Sequence, residues 1–361
     1  MIDGTRSVGI VGAGTMGAGI AQVALEAGHR VAIVDPSVEA LTQADARIRA
    51  GLERRAVKTG RDSSWVQACL ERLDAGGSVG VAVTNADLVI EAAIEDLAAK
   101  QALFQAIAAS APAGAILATN TSALSVTAIA AATPCPERVI GLHFFNPAPI
   151  MRLVEVVGTT AVDQAVVDRA MALMTAWGKI SVRCQDSPGF IVNRVNRPFT
   201  IEALRMLEAG DADIPSIDGA MRAAGFPMGP FELMDLIGLD VNLAAARGVW
   251  EGLGRPDRLR PSPIQERLVA AGHLGRKAGE GFYRYDATGA ATPSVRSRRP
   301  ASAPLAEGDI SARIVAAVDA EAAIAEAEGI ATRADIGLAL RLGAGHPTPE
   351  ARDLSGVDPR T

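Results

Sequence analysis

The sequence predicts an α/β protein with a doubly wound, mostly parallel sheet, followed by an all-α domain. In the first half, short apolar runs of strand length alternate with helical patterns, as strands and helices do around a parallel sheet. From Asp186-Ser187-Pro188-Gly189 to about Leu253 the periodicity is helical, as in "FIVNRVNRPFTIEALRMLEAG", and no convincing strand intervenes. A chain of 361 residues is also too long for one ordinary core, which favours two or three domains.

Composition limits the class of protein. The hydrophobic content of 49% excludes wholesale disorder, and a net charge of −6 without a long basic run argues against a nucleic-acid partner. The three cysteines, Cys69, Cys135 and Cys184, lack CxxC spacing, so we expect a reduced compartment with neither a disulfide framework nor a metal site. The apolar stretch near the start is punctuated by glycine and has no basic lead-in, which favours strand, turn and helix over a signal or membrane span. We therefore expect a cytoplasmic protein with no membrane partner.

Residues 7–35 have the order of a dinucleotide-binding unit. Ser7–Val11 predicts a strand, and "AGIAQVALEAG" predicts a helix that ends near Gly28. A second strand, 31–34, ends in Asp35. Between the first strand and the helix lies a GxGxxG loop made of Gly12, Ala13, Gly14, Thr15, Met16 and Gly17. Strand, GxGxxG, helix, strand and acid in this order are the context that the motif requires.

Each of these residues has a physical role in the predicted unit. Gly12 permits the tight turn, Gly14 lets the backbone approach a pyrophosphate, and Gly17 lets the helix lie close to the strand. The helix N-terminus then offers N–H groups to the phosphates. Asp35 is placed to bind both ribose hydroxyls and would repel a 2′-phosphate, so the sequence predicts NAD rather than NADP. A tight loop alone would account for the glycines, but not for the flanking strands and Asp35.

The remaining elements complete the predicted organisation. Residues 37 to about 75 predict two helices joined near "KTGRDS", and residues 96–110 predict a third. Further strands are predicted at 86–92, 115–120, 138–145, 153–158 and 180–184. The chain is divided into a dinucleotide-binding domain (1–186), a helical substrate and dimerisation domain (187–286), a linker rich in Ala, Pro, Ser and Arg (287–308), and a truncated helical repeat (309–361).

The C-terminal segment weakly repeats the helical domain, since residues 194–227 recur in outline as 313–347. At a constant offset of 119 the sequence aligns Arg194, Glu202, Gly210 and Ile217 with Arg313, Glu321, Gly329 and Ile336, and one inserted residue then brings Pro227 against Pro347. The second copy stops early and has Ala312 where the first has Asn193. We interpret it as a degenerate half-domain that covers an apolar face and has no chemistry of its own. The alternative is a chance likeness between two Ala-rich helical pairs.

His143, in "GLHFFNP", is the strongest candidate for chemistry. If strands 138–145 and 153–158 fold back antiparallel, His143 faces Glu155, whose carboxylate would fix the imidazole tautomer and support a base near neutral pH. A satisfied core histidine is the alternative. Ser122 follows a predicted strand, where open α/β sheets place their ligands, although a helix N-cap would equally account for it. Asn193 is a polar residue in an apolar helical start, and a buried Asn needs partners.

The chain resembles the NAD-dependent (S)-3-hydroxyacyl-CoA dehydrogenase family, including the 3-hydroxybutyryl-CoA dehydrogenases, whose sheet is of the Rossmann type. The stretches that carry the resemblance span residues 8 to 285 in the family's order and spacing. They are "GAGTMGAGIAQV", "VIEAAIEDLAAKQALF", "TNTSAL", "GLHFFNPAPIMRLVEVV", "DSPGFIVNRVNRP", "GFPMGPFELMDLIGLDV" and "LGRKAGEGFYRYD".

The resemblance implies a role for each site residue. His143 is similar to the family's catalytic base and Glu155 to the carboxylate that orients it, while Ser122 and Asn193 correspond to residues that hold the substrate. The residues that correspond to contacts with the nicotinamide half of NAD are Glu95, Lys100, Ser122 and Asn146. Lys58 matches a lysine that meets the CoA phosphates, within a basic cluster that includes Arg54 and Arg55; a solvated helix face is the alternative for this cluster. Gly51 departs from the family, because some members have a CoA-contacting serine there.

The resemblance also implies an acyl-CoA substrate, a place in fatty-acid β-oxidation or related metabolism, and a homodimer that uses the apolar surface around "GPFELMDLIGLDV". Two alternatives keep the fold and change the substrate: 3-hydroxyadipyl-CoA of aromatic catabolism, or a free hydroxy acid. A non-catalytic binding protein on the same fold would be expected to lose the His–Glu pair or the glycines first. All of these residues are present in the sequence.

Overall fold

A computed structural model describes residues 5–295 and 305–347 as two compact units. Unit 1 runs to Phe190 and unit 2 begins at Ile191. The sequence placed this change at 186/187, a few residues earlier. Within the described ranges, the longest helices are too polar or too short to cross a bilayer, and His, Cys, Asp and Glu side chains form no group of three or more that could hold a metal ion.

Unit 1 is built on an eight-stranded sheet with the order β3-β2-β1-β4-β5-β6-β7-β8. Its strands are β1 Ser7–Val11, β2 Arg30–Val34, β3 Leu73–Ala75, β4 Leu88–Glu91, β5 Ile116–Thr119, β6 Val139–Phe144, β7 Leu153–Gly158 and β8 Ile180–Gln185. The strand pairs are parallel except for β6 and β7, which run antiparallel. The order reverses at β1, which pairs with β2 on one side and β4 on the other, and such a switch point opens a crevice at the carboxyl ends of the strands.

The helices of unit 1 are α1 Thr15–Glu26, α2 Val38–Thr59, α3 Ser63–Leu70, α4 Val79–Val83, α5 Leu97–Ser110, α6 Val126–Ala130 and α7 Gln164–Ala176. Side chains cap the N-termini of α2, α3 and α5. The caps are Ser37, Asp62 and Asp96, and each accepts hydrogen bonds from N–H groups in the first turn of its helix. The two helices expected over residues 37–75 are α2 and α3, but the last residues of that range form β3 instead. This strand is short and largely exposed, so only its pairing with β2 defines it.

The centre of the sheet is buried on both faces. Every residue of β4, β5, β6 and β7 is buried, as expected when helices cover a mostly parallel sheet. Fully burying one Val, Leu or Ile side chain contributes about 1.5–3 kcal/mol. Against this background the buried polar residues within these strands, Glu91, Thr119, His143 and Glu155, require partners.

The described part of unit 2 is helical with one small hairpin. Its helices are α8 Val192–Val195, α9 Arg197–Ala209, α10 Ile214–Ala223, α11 Pro230–Ile237, α12 Leu239–Gly252, α13 Pro263–Ala270, α14 Glu307–Ala327 and α15 Arg333–Ala344. The hairpin joins β9 Tyr283–Tyr285 to β10 Ala291–Pro293. It corrects two expectations, since residues 187–286 contain a strand and part of the expected linker 287–308 is paired. Backbone hydrogen bonds and the turn around Asp286 define this hairpin, because its two strands are only three residues long and β10 is fully exposed.

The C-terminal helices repeat the landmarks of the first copy. Asp213 and Thr332 are equivalent N-caps of α10 and α15, each accepting from a backbone N–H. Gly210 and Gly329, also equivalent, both have positive φ, at 78° and 73°. The copies differ where Pro198 stands near the start of α9, because proline lacks the N–H that an unbroken helix needs. The second copy has no proline there, and α14 is continuous. Residues 348–361 of the predicted repeat lie outside the described residues.

Candidate active site

The glycine-rich loop has the shape that a bound pyrophosphate requires. Gly12 has φ +108°, and a Cβ there would lie 2.6 Å from the carbonyl oxygen of Ala92. A Cβ on Gly17 would lie 1.9 Å from the carbonyl oxygen of Gly12. Gly14, by contrast, faces open space, with no heavy atom within 4 Å of its Cβ position, and no side chain caps the start of α1. The open space beside an uncapped helix N-terminus therefore fits the phosphates of a dinucleotide.

Asp35, at the end of β2, is tied to the same loop. Its Oδ2 accepts a hydrogen bond from the Ala13 N–H at 2.9 Å, and its Oδ1 accepts from the Ser37 N–H at 2.9 Å. An ionised carboxylate has about four acceptor positions, so both oxygens keep capacity for a ribose hydroxyl. Asp35 thus holds the loop in place and leaves its charge at the position where the sequence predicts the ribose.

The predicted His143–Glu155 pair is present. The antiparallel register of β6 and β7 sets His143 directly opposite Glu155, and His143 Nδ1 lies 2.5 Å from Glu155 Oε2. Both residues are buried, with 6% of His143 and 0% of Glu155 exposed. An ionised carboxylate only accepts hydrogen bonds, so Nδ1 carries the proton and Nε2 keeps its lone pair. The imidazole also packs against the rings of Phe145 and Phe190, at 4.5 and 5.7 Å between centroids, which restricts its orientation.

A buried carboxylate that the sequence analysis missed lies at the end of β4. Glu91 is 0% exposed, and its Oε1 accepts from Lys100 Nζ at 2.6 Å and from the Ala93 N–H at 2.7 Å. Its Oε2 accepts from Thr119 Oγ1 at 2.7 Å. Lys100 is itself only 1% exposed, so Glu91 supplies the counter-charge that a buried ammonium needs. A single Glu at the end of an apolar run, nine residues before its partner, gave little sequence signal.

Glu95 joins Lys100 to the loop after β5. Its Oε2 lies 3.5 Å from Lys100 Nζ, while its Oε1 accepts from Thr121 Oγ1 at 2.5 Å and from the Ser122 N–H at 3.0 Å. Three of the predicted cofactor residues, Glu95, Lys100 and Ser122, therefore belong to one network. The side chain of Ser122 is exposed at this edge of the sheet.

The loop after β5 is also tied to the strand that carries His143. The Oδ1 atom of Asn120 accepts from the Phe144 N–H at 2.9 Å. Two residues farther along, Asn146 is exposed just beyond β6. The predicted residues 122, 143 and 146 are thus carried by neighbouring strand ends.

Lys58 lies on a cavity of about 580 Å³ in unit 1. The cationic side chains that line it are Arg54, Arg55, Lys58, Arg152 and Lys179, and the lining acid among the described residues is Glu26. Lys179 is buried and donates to the carbonyl oxygens of Ala148 and Met151, and burial lowers its pKa to about 8. Gly51 is also in the wall. A Cβ at Gly51 would lie 2.0 Å from Gln22 Oε1, so the amide of Gln22 occupies the space that a side chain at position 51 would need.

Asn193, the remaining predicted catalytic residue, lies in α8 of unit 2 and is partly exposed. Its assignment stays a prediction.

Two family models cover most of the chain. The NAD-binding domain of 3-hydroxyacyl-CoA dehydrogenase matches residues 7–187, and the C-terminal domain of the same family matches residues 189–285. The chain belongs to the 3-hydroxyacyl-CoA dehydrogenase family. It is an NAD-dependent enzyme of this class, and the predictions of the family, of the fold class and of NAD as cofactor are confirmed.

Named relatives are similar over most of the chain. A 3-hydroxyadipyl-CoA dehydrogenase of Escherichia coli K12 is 48% identical over 80% of this chain, although the match spans only 60% of that relative's length. The mitochondrial hydroxyacyl-coenzyme A dehydrogenase of Rattus norvegicus is 42% identical over 78% of this chain and 91% of its own. Among solved structures, a 3-hydroxybutyryl-CoA dehydrogenase from E. coli K12 superposes with a TM-score of 0.85 at 36% identity, covering 95% of this chain and 89% of that one.

Proposed function

We propose that this enzyme oxidises (S)-3-hydroxyacyl-CoA, such as 3-hydroxybutyryl-CoA, to 3-ketoacyl-CoA with NAD and catalyses the reverse reaction, in fatty-acid β-oxidation or related acyl-CoA metabolism. The observation that carries the proposal is the His143–Glu155 pair, 2.5 Å apart and buried, in the same unit as a complete dinucleotide-binding motif. A free hydroxy acid as substrate is disfavoured by the basic cavity at Lys58, which suits the phosphates of CoA.

His143 Nε2 takes the proton of the substrate's 3-hydroxyl as the bond from C3 to hydrogen breaks. The imidazolium that forms lies against Glu155, so the new positive charge appears beside a fixed negative one and needs no reorganisation. NAD, when bound, supplies the hydride acceptor. In the reverse direction the protonated His143 donates to the 3-keto oxygen.

The other site residues position the substrate and the cofactor. Ser122 and Asn193 hold the acyl group so that its C3 meets the base in a reactive geometry. Glu95, Lys100 and Asn146 contact the nicotinamide half of the cofactor, and Gly12 to Gly17 cradle its phosphates. One observation supports these cofactor contacts. The side chains of Lys100 and Glu95 are already held in place by contacts with each other and with Glu91 and Thr121.

The experiment that tests the base is His143→Gln, which keeps the size of the side chain and removes the proton acceptor. Loss of a general base costs about 10²–10⁴-fold, so kcat with 3-hydroxybutyryl-CoA should fall by that factor while NAD affinity stays within about twofold. His29→Gln is the matched control, because His29 is equally buried in unit 1 and contacts Trp177. NADH formation by absorbance and NAD titration by fluorescence provide the measurements. A His143→Gln enzyme as fast as the wild type would show that His143 is not the base.

A second substrate, 3-hydroxyadipyl-CoA, is favoured by one specific observation. Arg197 is 6% exposed, no acid among the described residues pairs with its guanidinium, and its Nε has no hydrogen-bond partner there. Burial lowers its pKa to about 10, which still leaves it charged at neutral pH. It follows Asn193 by four residues, across the break between α8 and α9. A buried cation without an acidic partner, so near in the chain to the residue proposed to bind the acyl group, would match the terminal carboxylate of an adipyl chain. The E. coli relative bears that substrate's name.

Two six-carbon substrates test this alternative, because 3-hydroxyadipyl-CoA has a carboxylate where 3-hydroxyhexanoyl-CoA has a methyl group. If Arg197 binds the carboxylate, Arg197→Met should lower kcat/KM for the adipyl ester by about 10–100-fold and leave the hexanoyl ester near its wild-type value. Equal losses for both esters would show that Arg197 only supports the fold of unit 2.

The remaining proposals concern the cell and the assembly. A cytoplasmic homodimer was expected from the sequence. Exposed apolar side chains on α11 and α12 support a dimer surface, with Leu236, Ile237 and Val241 exposed by 48%, 44% and 52%. Val241→Asp should shift the sedimentation coefficient to that of a monomer. If the Val241→Asp variant sediments as the same dimer as the wild type, the interface lies elsewhere.

A further inference from the structure

The two copies of the helical repeat contact each other through equivalent residues. Arg194 of the first copy donates from Nε to Glu321 Oε1 of the second at 3.0 Å. Arg313, the equivalent of Arg194, donates from Nε to Glu202 Oε1 at 2.6 Å. Glu202 is in turn the equivalent of Glu321. The same ion pair is therefore made twice, with the two copies exchanged.

A second pair of contacts shows the same exchange. A Cβ on Gly225 would lie 3.3 Å from Pro347 Cβ, and a Cβ on Gly345 would lie 2.9 Å from Pro227 Cγ. Gly225 is equivalent to Gly345, and Pro227 to Pro347, once the inserted residue is counted. Both glycines have positive φ, at 89° and 70°, so the two chain reversals are alike as well as the contacts that they make.

Between these pairs, two equivalent residues touch each other. The rings of Phe226 and His346 pack edge to face with centroids 4.9 Å apart. In a twofold arrangement, contacts of residue i with residue j are matched by contacts of j with i, and a residue on the axis meets its own equivalent. The ion pairs and the glycine contacts satisfy the first condition, and Phe226 with His346 satisfies the second. Two unrelated helix pairs would not be expected to make such reciprocal contacts.

We infer that residues 305–347 pack on the first copy as a second subunit would pack in a twofold dimer, so that this chain contains its own isologous interface. The contact is a buried one: Arg194 and Glu321 are 0% and 1% exposed, and the apolar side of α14 is covered at Ile310, Ile314 and Val318. The face of α9 and α10 is thereby closed to a second copy of the chain. Any dimer must use another surface, such as that of α11 and α12. The inference does not depend on the proposed reaction.

Paired cysteines across the interface test which chain fills this face. A Cβ at Gly225 would lie 3.3 Å from Pro347 Cβ, near the separation of about 3.8 Å in a disulfide, so we expect full-length Gly225→Cys/Pro347→Cys to form an intrachain disulfide on mild oxidation. It would be seen as a monomer on non-reducing gels and as a mass loss of two hydrogens. Wild type is the control, because its three cysteines are buried. A disulfide-linked dimer would show that a second chain occupies the face. Absence of any new disulfide would show that the two positions are not in contact. Either result overturns the inference.

Double-mutant cycles provide a second measurement that does not rely on a new disulfide. Arg194→Gln with Glu321→Gln, and Glu202→Gln with Arg313→Gln, should each lower Tm by less in combination than the sum of the single losses. The matched control is the exposed pair Arg247 and Glu266 of the same unit, whose cycle should show a much smaller coupling. Coupling in only one of the two equivalent pairs would contradict the twofold arrangement.

Discussion

Replacing Glu91 by Gln should destabilise unit 1 because it leaves a buried ammonium without its main counter-charge. Lys100 Nζ lies 2.6 Å from Glu91 Oε1, with both side chains at most 1% exposed. Removing one partner of a buried ion pair costs about 3–5 kcal/mol. Glu95 Oε2, at 3.5 Å and on a side chain 40% exposed, remains as a more distant counter-charge, so we expect the lower end of this range, about 3 kcal/mol. For a unit of this size 1 kcal/mol corresponds to about 2–4 °C, which predicts a fall in Tm of about 6–12 °C.

Scanning calorimetry of four proteins measures this effect: wild type, Glu91→Gln, Lys100→Met and the double variant. The double variant should lose less than the sum of the single changes, because removing both charges leaves none of them unpaired. Glu137→Gln is the matched control in the same unit, since its carboxylate is 45% exposed and 3.9 Å from Arg138. An exposed pair of this kind is worth about 1 kcal/mol or less. If Glu91→Gln and Glu137→Gln shift Tm equally, Glu91 is not what stabilises Lys100 in the interior.

Two further predictions concern the cofactor and pH. Asp35→Ser should reduce the ratio of kcat/KM for NAD over NADP by about 10²-fold, because the like charge facing a 2′-phosphate is lost, and a ratio that stays at its wild-type value would contradict the ribose assignment. Burial raises the pKa of Asp218 to about 7. A folded-state pKa above the unfolded value of 3.8 means that this carboxyl stabilises unit 2 fully below about pH 4 and loses that contribution as pH rises through about 7. Thermal denaturation from pH 4 to 8 should therefore show a fall in Tm that is weaker in Asp218→Asn, and equal slopes would exclude Asp218 as the cause.

The sequence predicted the elements whose side chains follow a period and the sites whose residues are close in the chain. The run from β1 to Asp35 is local, and a GxGxxG loop that joins a strand to a helix and precedes a second strand is compatible with few folds. The pairing of His143 with Glu155 was predictable because two adjacent antiparallel strands joined by a short loop, residues 145–152, leave few registers. That prediction is confirmed by the observed register and by the 2.5 Å contact.

What the sequence could not predict depends on contacts between distant segments. The strand β3 is short and exposed, so its pairing with β2 defines it and its composition does not. Glu91 looks like the polar end of a strand until Lys100 is placed beside it by the packing of α5. The strands β9 and β10 have only three residues each, and β10 is exposed throughout, so they are too short for a hydrophobic pattern to detect. Likewise the repeat could be recognised from the matching residues of the two copies, but the sequence does not indicate that equivalent residues contact each other.

Covalent attachment of the second copy has a consequence for behaviour on dilution. In an ordinary dimer the interface separates as the protein concentration falls below the dissociation constant, and its stabilising effect is lost with it. When both halves of the interface belong to one chain, their encounter is intramolecular, and its effective concentration is set by the connecting chain and not by the amount of protein present. The contacts of Arg194 with Glu321 and of Arg313 with Glu202 are therefore kept at nanomolar enzyme, where a two-chain version of the same surface would come apart.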